Sequence, residues 1–261
     1  MSARVSPRFD EPPASREPFP LIRLARTAST MEDARRLAAE SPRGAVMADE
    51  QTAGRGRLAG RRWHSPPGLS LAVTFWLPLS DFEGTPPPLL AGLALRGALL
   101  AWAASRGLSF PAGLYIKWPN DLLGRGKLAG ILCESAGPAA LVGVGVNLGQ
   151  TEFAPGYRGR PSSVLLETGT APDPGELVEL LAAELASRVE NRGAWHDELN
   201  AALAYRGYRV VFKPGLGEDD AGETCSGELR GVSPDGALVI AAEGGERRFF
   251  SGELRPSDGS Y

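Results

Sequence analysis

Lysine is nearly missing from this chain of 261 residues: Lys117, Lys127 and Lys213 are the only three among 28 basic residues. Where arginine supplies almost every positive charge, a retained lysine draws notice, and two of the three fall in one short stretch. Cysteine and histidine are as scarce, with two of each. Cys133 and Cys225 are too few for a disulfide framework or a four-ligand zinc site, and the histidines show no ligand spacing. This points to a reducing, cytoplasmic protein without a structural metal. A basic excess is also lacking: 28 basic against 31 acidic residues leave a charge of -3, which argues against a dedicated nucleic-acid binder. No apolar run of signal-peptide length follows the first arginines. The longest apolar stretch, Leu89 to Ala104, is broken by Arg96 and reads as too short to span a bilayer. No internal repeat of solenoid or propeller period is present.

What the chain does have is enough apolar material for a core, 43% of its residues, and a length suited to one large domain or a large plus a small one. Residues 1–20 read as a flexible proline-rich tail. Strands are expected at Leu21–Arg26, Gly44–Glu50, Leu69–Leu77, Leu114–Trp118, Leu128–Glu134 and Ala140–Leu148. Ser29 to Glu32 has the form of a capping box, with Met31, Ala34, Leu37 and Ala38 on one helical face behind it. Pro86-Pro-Pro88 opens a helix to about Arg106, because proline suits a first turn. Gly175–Asn191 is amphipathic, with Leu177, Leu180, Leu181, Leu185 and Val189 at helical spacing. After Tyr205 the texture changes to short strands at Tyr208–Phe212, Thr224–Val232, Ala237–Ala242 and Arg247–Phe250, separated by turn signals. That pattern suggests a small SH3-like barrel.

Four segments carry candidate chemistry. Gln51-Thr-Ala-Gly54-Arg55-Gly56-Arg57 interleaves glycines, which let a backbone approach a ligand, with planar donors for carboxylate or phosphate. It lacks the Gly-Lys-Ser/Thr ending of a Walker A loop, and a plain surface loop is the alternative reading. Lys117-Trp118-Pro119-Asn120-Asp121 is good turn chemistry. It also places Asp121 as an oxygen ligand for Mg²⁺ with Lys117 beside the same charges. Lys127-Leu-Ala-Gly130-Ile-Leu-Cys-Glu134 opens an apolar strand with a lysine that is either solvated at the strand end or faces a developing anion. Gly143-Val-Gly145-Val-Asn147 puts a bare backbone on one strand face and branched side chains on the other. That bare face suits a flat ligand or tight packing, and Asn147 stands at its end.

Together these blocks, in this order, resemble the signature segments of biotin protein ligases over residues 21–200. The resemblance implies an α+β fold: a mixed-sheet catalytic domain of the class II synthetase-like biotin/lipoate ligase kind over 21–204, then the SH3-like barrel over 205–258. It implies a ligase that joins biotin to AMP using Mg-ATP, then passes biotin to a lysine of a biotin carboxyl carrier protein. By the same resemblance, Ser29, Thr30, Met31, Gln51, Gly54, Arg55, Gly56, Arg57, Lys127 and Gly130 line the biotin site. Lys127, Arg55 and Arg57 carry the catalysis, and Trp63 stacks on adenine. Lys117, Asn120, Asp121 and Asn147 fall on the nucleotide side, with Asp121 toward the magnesium.

Two departures from the family pattern are visible. Leu58 and Ala59 give the loop one residue more than usual, and the turn from Asp121 to Lys127 is one residue shorter. His64 reads as a rim residue. With only a proline-rich tail before the first strand, operator binding is not expected. Neither nucleic acid nor membrane is an expected partner, and the reading admits a homodimer. The main alternative is a lipoate or octanoyl ligase or transferase of the same fold. A non-enzymatic module worked by the barrel leaves both lysine motifs without a purpose.

Overall fold

The computed structural model describes residues 18–58, 60–153, 159–215 and 222–257. Most of the expected tail and Ala59 of the loop insertion lie outside the described residues. A seven-stranded mixed sheet is built from β1 (Leu21–Thr27), β2 (Gly44–Gln51), β3 (Ser70–Pro78), β4 (Tyr115–Lys117), β5 (Asp121–Leu123), β6 (Lys127–Ala136) and β7 (Ala139–Asn147). The order is β1-β2-β3-β7-β6-β5-β4, with β1 parallel to β2 and the other pairs antiparallel. Eight of the nine residues of β3 are buried, as a strand in a sheet covered on both faces requires.

Helix α1 (Thr30–Leu37) covers one face of this sheet, where Met31 and Ala34 pack with Val46, Trp76 and Leu141. Helices α2 (Pro87–Ala104) and α4 (Pro174–Glu190) cover the other, where Met47, Phe75, Val142 and Val144 belong to the main core. Alternation along the strands therefore decides which side chains face which layer. Two short helices, α3 (Val164–Thr168) and α5 (Trp195–Ala201), complete this part. Asp173 caps α4 by accepting from the amides of Gly175 and Glu176 at 2.8 and 3.1 Å, with Pro174 in the first turn. Leu177, Leu181, Leu185 and Val189 form its buried stripe.

Helix α2 is 18 residues long, more than the apolar stretch suggested, and apolar enough by length and composition to cross a membrane. Its Leu93, Leu95, Leu99 and Trp102 are fully buried in the main core, so its apolar character serves packing in this fold. It ends at Ala104 rather than Arg106.

The C-terminal strands are β8 (Arg209–Pro214), β9 (Cys225–Val232), β10 (Leu238–Ala242), β11 (Gly245–Phe249) and β12 (Gly252–Pro256). They form an antiparallel sheet in the order β11-β10-β9-β8-β12. The fifth strand, β12, was not expected from the sequence. The two sheets share one core through Trp118, which is 2% exposed. Its indole N–H donates to Gly236 O at 3.1 Å, and its ring lies 5.8 Å from that of Phe212.

Candidate active site

The site is built on the α1 side of the sheet. Gly143 and Gly145 of β7 face it, while Val142, Val144 and Val146 turn into the main core, as the glycine–valine alternation implied. Gly130 of β6 pairs with Gly145 and opens the same face. The bare surface is taken up by the chain's own side chains. A Cβ at Gly145 would overlap the Trp63 indole, one at Gly130 would lie 3.3 Å from it, and one at Gly143 would lie 2.8 Å from Met31 Cε. Gly130 thus makes room for Trp63 and for Lys127, whose Nζ would be 3.5 Å from such a Cβ. The Trp63 Nε1 atom is buried and has no hydrogen-bond acceptor among the described residues. Gly145→Val is expected to push Trp63 off the sheet, at about 1–3 kcal/mol of stability. A red shift in tryptophan emission checks this, and an unchanged spectrum would contradict the seating of Trp63.

The glycine–arginine segment is not the open loop expected over residues 51–68. It folds back on itself: Gln51 bridges Ser65, Trp63 N donates to Gly54 O at 3.0 Å, Arg55 bridges Arg62, and Gly56 N donates to Arg61 O at 2.9 Å. Gln51 is its anchor. Its Oε1 accepts from Thr30 N at 2.9 Å and Thr30 Oγ1 at 3.1 Å, while its Nε2 donates to Ser65 Oγ at 3.2 Å. The expected capping box is corrected accordingly. Ser29 is the N-cap residue of α1, but its hydroxyl makes no capping bond, and Gln51 satisfies an amide of the helix from another strand. Ser29 and Thr30 are each 4% exposed, and Thr30 Oγ1 also meets Thr74 Oγ1 at 2.9 Å.

The loop arginines point in different directions. Arg55 pairs with Glu32 and, at 3.7 Å, with Glu134; Arg35 joins the same two carboxylates. Arg57 donates to Gly252 O on β12 at 2.7 Å, and Arg61 pairs with Glu253. The hairpin is therefore tied to the C-terminal sheet, a link that no local pattern announced. Burial pulls the Arg57 guanidinium below its ordinary value, opposed by Asp121 and Glu253.

Lys117, Asp121 and Lys127 meet at the end of β4, β5 and β6. Lys127 Nζ lies 2.7 Å from Asp121 Oδ1, and Lys117 is the strand partner of Asp121. Burial drives the Lys117 amine down to about 8, with Lys127 adding to the effect and Asp121 opposing it. The turn joining β4 to β5 carries a cis Trp118–Pro119 peptide and a bond from Asn120 N to Lys117 O at 3.1 Å. Asn120 Nδ2 donates to Ile131 O at 2.7 Å, fixing this turn against β6.

Asn147 ends β7 in a buried position. It is 1% exposed, its Nδ2 donates to Ser162 O at 3.0 Å and to Lys127 O at 3.4 Å, and its Oδ1 accepts from Gln150. These bonds tie the end of β7 to the start of β6 and to Ser162. His64 is exposed at the rim, as read from the sequence. It borders a side cleft of about 270 Å³ with Pro66, Leu69 and Gln150. Cys133 packs against the main core, and burial pushes its thiol up, away from a nucleophilic thiolate.

A glycine face, a glycine–arginine hairpin and a lysine–aspartate pair on a mixed sheet make up the site. Residues 21–150 match the biotin/lipoate A/B protein ligase family. The biotin–[acetyl-CoA-carboxylase] ligase of Paracoccus denitrificans is 36% identical over 259 residues, spanning 88% of this chain and 98% of that protein. The ligase of the same name from Mycobacterium tuberculosis is 32% identical over 85% of this chain and 83% of its own length. The biotin protein ligase of Aquifex aeolicus, solved in complex with biotin and ATP, superposes with a TM-score of 0.77 at 28% identity. That match covers 91% of this chain and 99% of the Aquifex chain. The chain belongs to the biotin protein ligases and is a ligase enzyme.

Proposed function

We propose that this ligase forms biotinyl-5'-AMP from biotin and Mg-ATP and then transfers biotin to one lysine of a biotin carboxyl carrier protein. The observation that carries this reading is the gathering of Lys127, Asp121, Lys117 and Arg57 beside a glycine face roofed by Trp63. Residues 21–204 hold the chemistry, and residues 205–258 form the barrel that closes the nucleotide side through Gly252 and Glu253.

In the first step a biotin carboxylate oxygen bonds to the α-phosphorus while the bond to the β-phosphate breaks and pyrophosphate leaves. Two anions must approach, and Lys127 with Arg57 offsets their repulsion at the point where charge builds up. Lys127 changes partner from Asp121 to the reacting oxygens. Asp121 is a single carboxylate beside two lysines, which suits a magnesium ion carried mainly by nucleotide phosphates, not one caged by protein. That ion withdraws charge from the phosphate oxygens when bound. Lys117 and Asn120 hold the nucleotide side, Trp63, seated over Gly145 and Gly130, stacks on adenine, and Ser29, Thr30, Met31, Gln51 and Gly54 to Arg57 shape the biotin end. Asn147 acts from behind, through Ser162 and the backbone of Lys127.

In the second step a carrier lysine amine attacks the acyl carbon, AMP leaves and a proton is lost. No enzyme nucleophile takes part, in keeping with the raised Cys133 thiol, which disfavours the octanoyl-transferase alternative. A biotin carrier domain incubated with the enzyme, biotin and Mg-ATP is expected to gain one biotinyl group. Replacing the acceptor lysine by arginine is expected to abolish it, and labelling that survives this replacement would contradict the reading.

Arg55 stands at the mouth, paired with Glu32 and Glu134. The hairpin it belongs to keeps water from the mixed anhydride. Arg55→Ala is expected to raise untargeted labelling of bystander lysines about tenfold, matching a loss of about 1.4 kcal/mol in adenylate retention. Carrier-only labelling by this variant would count against closure by the hairpin.

A further inference from the structure

Behind Lys127 lies a buried polar network that the ligase motifs do not include. Its centre is Glu167 of α3, 4% exposed although it is a carboxylate. Lone buried carboxylates are costly, so an interior Glu needs a structural or chemical reason. Its Oε1 accepts from Arg125 N at 2.9 Å and from the Ser162 hydroxyl at 2.6 Å. Its Oε2 is buried without a partner among the described residues. The carboxylate lies hard against Gly124, where a Cβ would stand 2.7 Å from Glu167 Cδ.

These two contacts hold the two pieces of chain that define where Lys127 begins its strand. Arg125 is the middle residue of the Gly124-Arg125-Gly126 turn between β5 and β6, the turn that is one residue short of the family pattern. Gly124 N donates to Gly126 O at 2.9 Å across it. Ser162 belongs to the strap running beside Lys127: Lys127 N donates to Arg160 O at 2.8 Å, and Ser162 N donates to Lys127 O at 2.9 Å. The ladder between β6 and β7 starts only at Ala129, and Lys127 stands opposite Leu123 of β5, while its N–H and C=O both bond to this strap. Asn147 ties the strap from the other side, and Ser163 caps α3 by accepting from Leu166 N at 3.2 Å.

We propose that Glu167 is a positioning residue for the ligation chemistry. By gripping the short turn and the strap at once, it sets the place from which Lys127 reaches the reacting oxygens. The inference rests on the ligase reading, in which Lys127 touches those oxygens. It also gives the short turn a physical account: with one residue fewer, the turn needs an acceptor from outside, and Glu167 supplies it to Arg125 N.

The test is a double-mutant cycle in the full-length enzyme, using biotin-dependent ATP–pyrophosphate exchange with thermal denaturation alongside. Glu167→Ala is expected to lower kcat about a hundredfold, as a displacement near 1 Å does, with KM for biotin and ATP moving by less than about threefold. Glu167→Gln keeps an acceptor for Arg125 N and Ser162 and is expected to restore kcat, even if its melting temperature falls. In a Lys127→Ala background, Glu167→Ala is expected to add almost nothing, because residues acting through one another are not additive. Loss of stability with kcat intact, or full additivity of the two losses, would overturn the proposal. If Lys127→Ala alone left kcat unchanged, the role of Lys127 itself would fall, which is a separate result.

Discussion

Lys127→Ala is expected to lower the rate of biotinyl-adenylate formation by about 10²–10³-fold, the usual loss when a preorganised charge at a developing anion is removed. The side chain is partly exposed, with Nζ 2.7 Å from Asp121, and it shares the space over Gly130 with the Trp63 ring. Its removal leaves Asp121 still facing Lys117 across the β4–β5 pair, so no buried charge is stranded. Stability is therefore expected to change by less than about 1 kcal/mol, the range for a single ion pair near the surface. Pyrophosphate exchange read beside a melting curve checks both halves. A variant that melts early and keeps its rate when folded would reverse the assignment, making Lys127 a structural residue.

Trp118→Ala is expected to cost about 3–5 kcal/mol, the range for truncating a large buried aromatic. Trp118 sits next to Lys117 in sequence, yet its indole faces away from the site into the joint between the two sheets. It fills that joint against Phe212 and satisfies the Gly236 carbonyl. The same joint anchors the glycine–arginine hairpin, because Arg57 and Arg61 are held by Gly252 and Glu253 of β12. Loss of Trp118 is thus expected to weaken ATP binding as well as the fold. Trp118→Phe, which keeps a ring but loses the N–H, is expected to fall between. Urea denaturation gives the numbers, and a cost for Trp118→Ala under about 1 kcal/mol would show the two sheets to be independent of this joint.

The parts of the fold legible in the sequence were those written in local periodicity. The glycine–valine alternation of β7 assigned Gly143 and Gly145 to one face and the valines to the core, and Leu177, Leu181 and Leu185 of α4 fell on its buried stripe, with Leu180 half-buried beside it. Elements too short to show a period were missed: β5 and α3 have three and five residues. Proximity created by the fold was equally hidden. Nothing next to Gln51 says that it caps α1, and nothing near Arg57 says that its partner is Gly252. The bare strand face was read correctly as a face, but its cover came from Trp63, 82 residues away from Gly145 in the chain. Asn147 also makes contacts that its place at the end of a glycine-rich strand did not announce: it is buried and ties the backbone of Lys127 to Ser162.

The central claim is that the lysines and Arg57 gathered beside the glycine face activate the carboxylate of biotin. Biotin-dependent exchange of labelled pyrophosphate into ATP, run against lipoate and octanoate, tests it most directly. Exchange with biotin, absent or far slower with the other two acids and lost in Lys127→Ala, is the predicted result. No exchange with biotin, or equal exchange with octanoate, would contradict the claim.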